Sequence, residues 1–149
     1  LAVPVGNGTL LIGVELGIKS LMAGGVLDRP PCIIAVQAAG CAPIHRAFVE
    51  GKAEVAPVAN NGTAAEGIAI AAPMRGSQLL SALKRLGGTI VAVDEEAIAR
   101  ASNALTKAGI FVEPTSAATL AGAENWAKTA GFTGDIAVPM CGAGLKSLH

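Results

Sequence analysis

The sequence predicts a three-layer α/β/α domain built on a mainly parallel sheet, and three observations predict it. Short β-branched runs alternate with helical stretches of about 10–15 residues, the pattern of βαβ units. The run Cys32–Gln37 is apolar almost throughout, the form of a strand covered on both faces. Glycine pairs, Gly24-Gly25 and Gly87-Gly88, punctuate the ends of helical runs. Such alternation implies parallel strands joined by right-handed crossovers.

Each element has its own signal. Leu1–Val5 opens as an apolar strand, and Gly6-Asn7-Gly8 follows as a tight turn. Thr9 to about Ala23 reads as a helix with Leu10, Leu11, Val14, Ile18, Leu21 and Met22 on one face. After the strand Cys32–Gln37, Pro43 takes a first helical position, with Ile44, Ala47 and Phe48 behind it and Gly51 closing. Glu54 to Arg75 is the least regular stretch, with a loop around Asn60-Asn61-Gly62. Ser77 can cap a helix that carries Leu79, Leu80, Leu83 and Leu86. Thr89–Val93 is the clearest strand. Asp94 caps the next helix, which runs to about Ala108 with Glu95 and Glu96 in its positive first turn. Ile110–Val112 is a short strand or extended segment. Pro114 opens a helix through Trp126 to about Ala130, and Asp135–Met140 is expected as a last strand before Cys141-Gly142-Ala143-Gly144.

Composition narrows the function. The 149 residues suffice for one core. Eleven basic residues balance 11 acidic ones, so neither a non-specific nucleic-acid binder nor a polybasic membrane anchor is expected. A hydrophobic fraction of 52% without charge excess excludes disorder. No uncharged stretch free of Gly and Pro is long enough to span a bilayer, and no basic segment opens a signal peptide. Cys32, Cys41 and Cys141 are odd in number and widely spaced, which points to a reducing, cytoplasmic compartment. Cys41 and His45 lack two further ligands at zinc spacing, so no metal is expected. The apolar excess and the opening on an apolar strand lead us to expect a piece of something longer.

In sheets of this kind ligands gather at the carboxyl ends of the strands. Gly6–Thr9, Gln37–Cys41, Asp94 and Cys141–Gly144 lie there by this reading. Gly6-Asn7-Gly8-Thr9, between a strand and a helix, presents backbone N–H groups to an anion, aided by the helix dipole. A plain βα turn is the competing reading. Leu11 stands where the dinucleotide fingerprint needs a third Gly, the second strand ends at Gln37 rather than an acid, and no Gly-Lys-Ser/Thr is present. An isolated phosphomonoester fits the short loop better than a pyrophosphate.

Pro4-Val5-Gly6-Asn7-Gly8-Thr9-Leu10, Val36-Gln37-Ala38-Ala39-Gly40-Cys41-Ala42-Pro43-Ile44 and Gly67-Ile68-Ala69-Ile70 together resemble the second half of the threonine synthases. The likeness continues through Gly109–Ala118 and ends at Cys141-Gly142-Ala143-Gly144-Leu145-Lys146, covering essentially the whole chain in order. The wider group is the tryptophan-synthase-β-like, fold type II pyridoxal-phosphate enzymes. The resemblance implies that residues 1–149 are the C-terminal part of the larger, cofactor-binding domain. It implies that Gly6, Asn7, Gly8 and Thr9 cradle the phosphate of pyridoxal 5′-phosphate, and that Cys141 faces its pyridine nitrogen. A neutral partner there suits elimination and replacement chemistry.

The same resemblance leaves two reactions open. Threonine synthases usually have Thr at the position of Cys141, whereas some serine/threonine dehydratases of the fold have Ser or Cys. Dehydratases, however, carry a run of glycines where this chain has Asn7 and Thr9. Glu113 matches the family's stretch near the cofactor, or is simply a favourable charge before a helix N-terminus. Arg75 is a candidate for a substrate anion or a solvated loop charge, and Lys146 follows the final glycine turn.

The family's Schiff-base lysine belongs to its N-terminal half, and no lysine here has its Ser-Phe-Lys-type setting. Lys19, Lys52, Lys84, Lys107 and Lys128 fall on expected helices or their ends. The resemblance therefore implies a missing N-terminal half as partner, a small amino-acid substrate, a homodimeric whole enzyme and no turnover by this chain alone. A non-catalytic, truncated α/β binding module is the remaining alternative.

Overall fold

The computed structural model describes residues 1–147, without the side chains of 146 and 147. Three strands, β1 (Ala2–Pro4), β2 (Ile34–Ala38) and β3 (Thr89–Val93), form a parallel sheet in the order β1-β2-β3. Ala2 pairs with Ile34, and Ile34 in turn with Thr89. The helices are α1 (Thr9–Ala23), α2 (Pro43–Val49), α3 (Gly76–Arg85), α4 (Glu95–Lys107) and α5 (Pro114–Ala130). Short 3-10 turns occupy Ala39–Cys41, Glu66–Ile68 and Gly144–Ser147.

Strand alternation sorts the helices into two layers. Ala2, Ile34, Val36 and Ala38 point to a core shared with Ala97, Ile98 and Ala101 of α4 and Ala117, Ala118 and Ala121 of α5. Val3, Ile33 and Ala35 face the other way, onto α1, α2 and α3 through Leu11, Ile18, Ile44, Leu79 and Leu83. The expected three layers are present. Small side chains on α5 let it lie close to the sheet: a Cβ at Gly122 would press into Val36 and Val91. This is where the scarcity of aromatics finds its structural use.

Three expectations need correction. Asp135–Met140 forms no strand; its tie to β1 is the Ala2 N–H donated to Ala137 O at 2.9 Å. Pro139 lacks a donor there, and Asp135, Ala137 and Met140 are exposed, so little drives a full ladder. Ile110–Val112 contributes only an isolated antiparallel bridge, Val112 to Ala143. On α1, Leu11, Ile12, Glu15 and Ile18 are buried, while Leu10, Leu21 and Met22 are exposed. That helix is apolar on nearly every side, so periodicity could not fix its phase. Glu15 does: it receives Arg85 of α3 at 2.6 and 3.1 Å, and Lys19 at 2.9 Å.

Finally, α3 begins at Gly76 with Arg75 in the N-cap position, so Ser77 lies inside the helix and caps nothing. Asp94 behaves as expected and accepts the Ala97 N–H at 2.7 Å. None of the described helices is long and apolar enough to cross a membrane.

Candidate functional site

Parallel strands bring the ends of β1, β2 and β3 to one edge, and four loops meet over it. Gly6–Gly8 leaves β1, Ala39–Cys41 leaves β2 and Asp94 leaves β3. The irregular stretch 57–70 then crosses over all three. Asn61 N–H donates to Gly40 O, Ala64 N–H donates to Glu95 Oε2, and Gly67, Ile68 and Ile70 crowd Gly6. The loop expected at Asn60–Gly62 turns on Gly62, whose N–H donates to Asn60 Oδ1. The least regular part of the sequence thus becomes the roof of the site.

Gly6 sits in tight space and Gly8 leaves no room for a side chain. A Cβ on Gly6 would lie 3.1 Å from Gly67 O and 3.1 Å from Ile70 Cγ1. Gly8 has φ 83°, the left-handed region, and a Cβ there would drive into Leu79. Gly8 is also the N-cap of α1, and no side chain caps this end. The first-turn amides of Thr9, Leu10 and Leu11 precede the first helical bond, Ile12 N–H to Gly8 O, so they have no acceptor within the helix. Asn7 and Thr9 are exposed beside them. An uncapped N-terminus with close backbone approach has the chemistry of an anion cradle.

Cys141 reaches the same edge from the other layer. Its N–H donates to the buried Ser116 Oγ at 3.1 Å, which pins the loop to the start of α5. Glu113 N–H donates to Gly142 O, and the Glu113 carboxylate fills the space over Gly142. Thr115, in turn, closes on Gly67 of the roof. A continuous set of contacts therefore runs from Gly6 through Gly67 and Thr115 to Ser116 and Cys141. The Cys141 thiol is accessible and its Sγ donates to Pro139 O at 3.6 Å. Partial burial, and then the negative Glu113 nearby, raise its pKa, so it stays a neutral thiol.

Beside this edge a cavity of about 490 Å³ is lined by Gly40, Ala42, His45, Arg46 and Asn61, among others. Burial lowers the pKa of His45, which keeps it neutral. Burial likewise raises that of Cys41. Arg46 pairs with Glu50 at 3.0 Å on the outer side of α2. Arg75 is exposed at the start of α3. Lys19, Lys52, Lys84, Lys107 and Lys128 are all exposed, and the Lys146 side chain lies outside the described residues.

Three contributors had no individual role in the sequence reading, although they lie in segments it singled out. Gln37 is fully buried and hydrogen-bonded on both ends of its amide. Its one signal was a polar residue closing an otherwise apolar strand. Ser116 and Gly67 gave no signal beyond their types, since each acts through a contact distant in sequence.

Fold and edge together define an α/β domain whose carboxyl edge carries an uncapped helix N-terminus behind two closely packed glycines. A family model described as pyridoxal-phosphate dependent enzyme matches residues 1–142. The chain belongs to that family, whose enzymes use pyridoxal 5′-phosphate. It is 37% identical over 121 residues to the threonine synthase of Methanocaldococcus jannaschii, covering 80% of this chain and 30% of that protein. Against the threonine synthase of Mycobacterium leprae it is 35% identical, covering 81% and 32%. The chain thus spans about a third of the length of these curated relatives.

Among solved structures, a threonine deaminase from T.th. matches with TM-score 0.64 and 25% identity, over 92% of this chain and 44% of that one. The Escherichia coli threonine synthase matches in fold with TM-score 0.62 and 24% identity, over 83% of this chain and 28% of that one. The fold is that of the type II pyridoxal-phosphate enzymes.

Proposed function

We propose that this chain is the C-terminal part of the cofactor-binding domain of a threonine synthase-like enzyme, which converts O-phosphohomoserine and water to threonine and phosphate. The observation that carries the reading is the uncapped N-terminus of α1 behind Gly6 and Gly8, at the end of β1. The 37% identity to a threonine synthase supports the choice of reaction. When bound, pyridoxal 5′-phosphate supplies an electron sink for chemistry at the substrate's α-carbon.

The chain's own residues have separate tasks in this reading. Gly6 and Gly8 bring the backbone close, Thr9–Leu11 offer N–H donors to the phosphate, and Asn7 and Thr9 add polar side chains. Cys141, kept neutral by its raised pKa, would offer an uncharged side chain to the ring nitrogen. The stretch 57–70 packs over the ends of β1 and β2, against Gly6 and Gly40. The five lysines with described side chains are exposed, and on the family resemblance the lysine that would hold the cofactor is assigned to the family's N-terminal half. The isolated chain is then expected to bind the cofactor weakly and not to turn over. The whole enzyme is assigned to the cytoplasm as a homodimer acting on a small amino-acid substrate.

Cys141 and the likeness to a threonine deaminase favour a second reading, a dehydratase of the same fold. Incubating the intact, cofactor-loaded protein with O-phosphohomoserine, and separately with threonine, distinguishes the two. Threonine and inorganic phosphate from the first substrate support the proposal. A 2-oxo acid and ammonia from the second, with no threonine from the first, would replace it with the dehydratase reading.

A further inference from the structure

We infer that Gln37 is a positioning residue that holds the Gly6–Thr9 loop at the height the cofactor phosphate needs, an inference that rests on the phosphate reading above. Gln37 sits near the carboxyl end of the central strand, with no exposed surface. Its Nε2 donates to Val5 O at 3.2 Å. Its Oε1 accepts the N–H groups of Ile44 at 3.0 Å and His45 at 2.9 Å. One side chain thereby joins the end of β1, the end of β2 and the first turn of α2.

The consequence for the loop follows from what Val5 does. Val5 N–H already donates to Val36 O at 2.9 Å. With Gln37 holding its carbonyl, Val5 is clamped to β2 on both sides, and the very next residue is Gly6. The loop therefore leaves the sheet from a fixed point. On the other side, α2 has no cap of its own: Ala42 carries no side-chain acceptor and Pro43 no N–H, so Ile44 and His45 would be orphan donors. Gln37 satisfies both, which ties the loop to the helix that lines the neighbouring cavity.

The site asks for a neutral side chain with an acceptor on one atom and a donor on the other. A carboxylate keeps the bonds to Ile44 and His45 but sets its second oxygen against Val5 O. An apolar residue leaves three buried backbone groups unpaired. Glutamate thus separates the two duties, since it preserves the α2 cap and breaks the clamp on Val5.

The test titrates the intact protein with pyridoxal 5′-phosphate and with pyridoxal, which lacks the phosphate, in wild type, Gln37→Glu and Gln37→Met. Loss of one buried hydrogen bond acting on the loop predicts that the Kd for pyridoxal 5′-phosphate rises about tenfold in both variants. The Kd for pyridoxal should stay within about twofold of wild type, because a loop displaced from the phosphate has no grip on a ligand without one. Should Gln37→Met not fold, Gln37→Glu alone carries the comparison. Variants that weaken both ligands equally, or that keep the wild-type preference, overturn the role of Gln37 and leave the phosphate reading standing. A wild type that binds both ligands equally overturns the phosphate reading itself.

Discussion

Replacing Gly8 by alanine tests whether the turn after β1 has the shape described. Gly8 has φ 83°, a region where an L side chain costs about 1–2 kcal/mol. The added Cβ would stand 2.7 Å from Leu79 Cγ and closer still to both Leu79 methyl carbons. Leu79 is fully buried against α1 and the sheet, so it cannot swing into solvent. Overpacking of this kind costs about 1–3 kcal/mol. Together the two effects give a loss of about 2–5 kcal/mol, a large share of an ordinary domain's stability. Urea unfolding of wild type, Gly8→Ala, Leu79→Ala and the double variant, followed by circular dichroism, separates the parts. Against Leu79→Ala, the glycine substitution should cost only the backbone share, about 1–2 kcal/mol. A Gly8→Ala protein within about 0.5 kcal/mol of wild type, or a cost identical in both backgrounds, would refute the geometry.

Other outcomes follow from the same structure. Arg85 and Lys19 hold the buried Glu15 carboxyl down at about 2, from an ordinary 4.5. A depressed carboxyl stabilises the fold above its unfolded pKa, and that contribution is lost as pH falls from about 4.5 toward 2. Glu15→Gln should therefore be less stable than wild type by about 1–3 kcal/mol at pH 7, discounted because Arg85 is half exposed, with the gap closing by pH 2 in acid-unfolding curves. Asp94→Ala removes the α4 cap and should cost about 1 kcal/mol of thermal stability. For Cys141, mass-resolved alkylation with iodoacetamide should be slow at pH 7 and accelerate with rising pH. Glu113→Gln should shift that profile to lower pH, and an unchanged profile would deny the influence of Glu113.

Local signals were legible where one element decided its own ends. The start of α1 at Thr9 and both bounds of Thr89–Val93 were readable, because a glycine turn precedes the first and Gly87-Gly88 precedes the second. Asp94 was readable because a cap acts within three residues. The misses share a different cause. Whether Asp135–Met140 pairs as a strand depends on its partner across the sheet edge, and the phase of α1 depends on Arg85, seventy residues away. Of the site, Gly6–Thr9 and Cys141 could be picked out by motif and resemblance. The roles of Gln37, Ser116 and Gly67 could not, since a hydrogen bond or a close approach between distant segments leaves no local pattern. The opening expectation of surplus apolar surface also gained an address, for Leu10, Leu16, Leu21 and Met22 are exposed on α1.

The central claim is that the first turn of α1 holds the cofactor's phosphate. A crystal structure of the intact protein with pyridoxal 5′-phosphate tests it most directly. The account predicts phosphate oxygens within about 3 Å of the backbone nitrogens of Thr9, Leu10 or Leu11, with the ring nitrogen toward Cys141. A phosphate seated away from the Gly6–Thr9 turn, with those amides facing water, would contradict it.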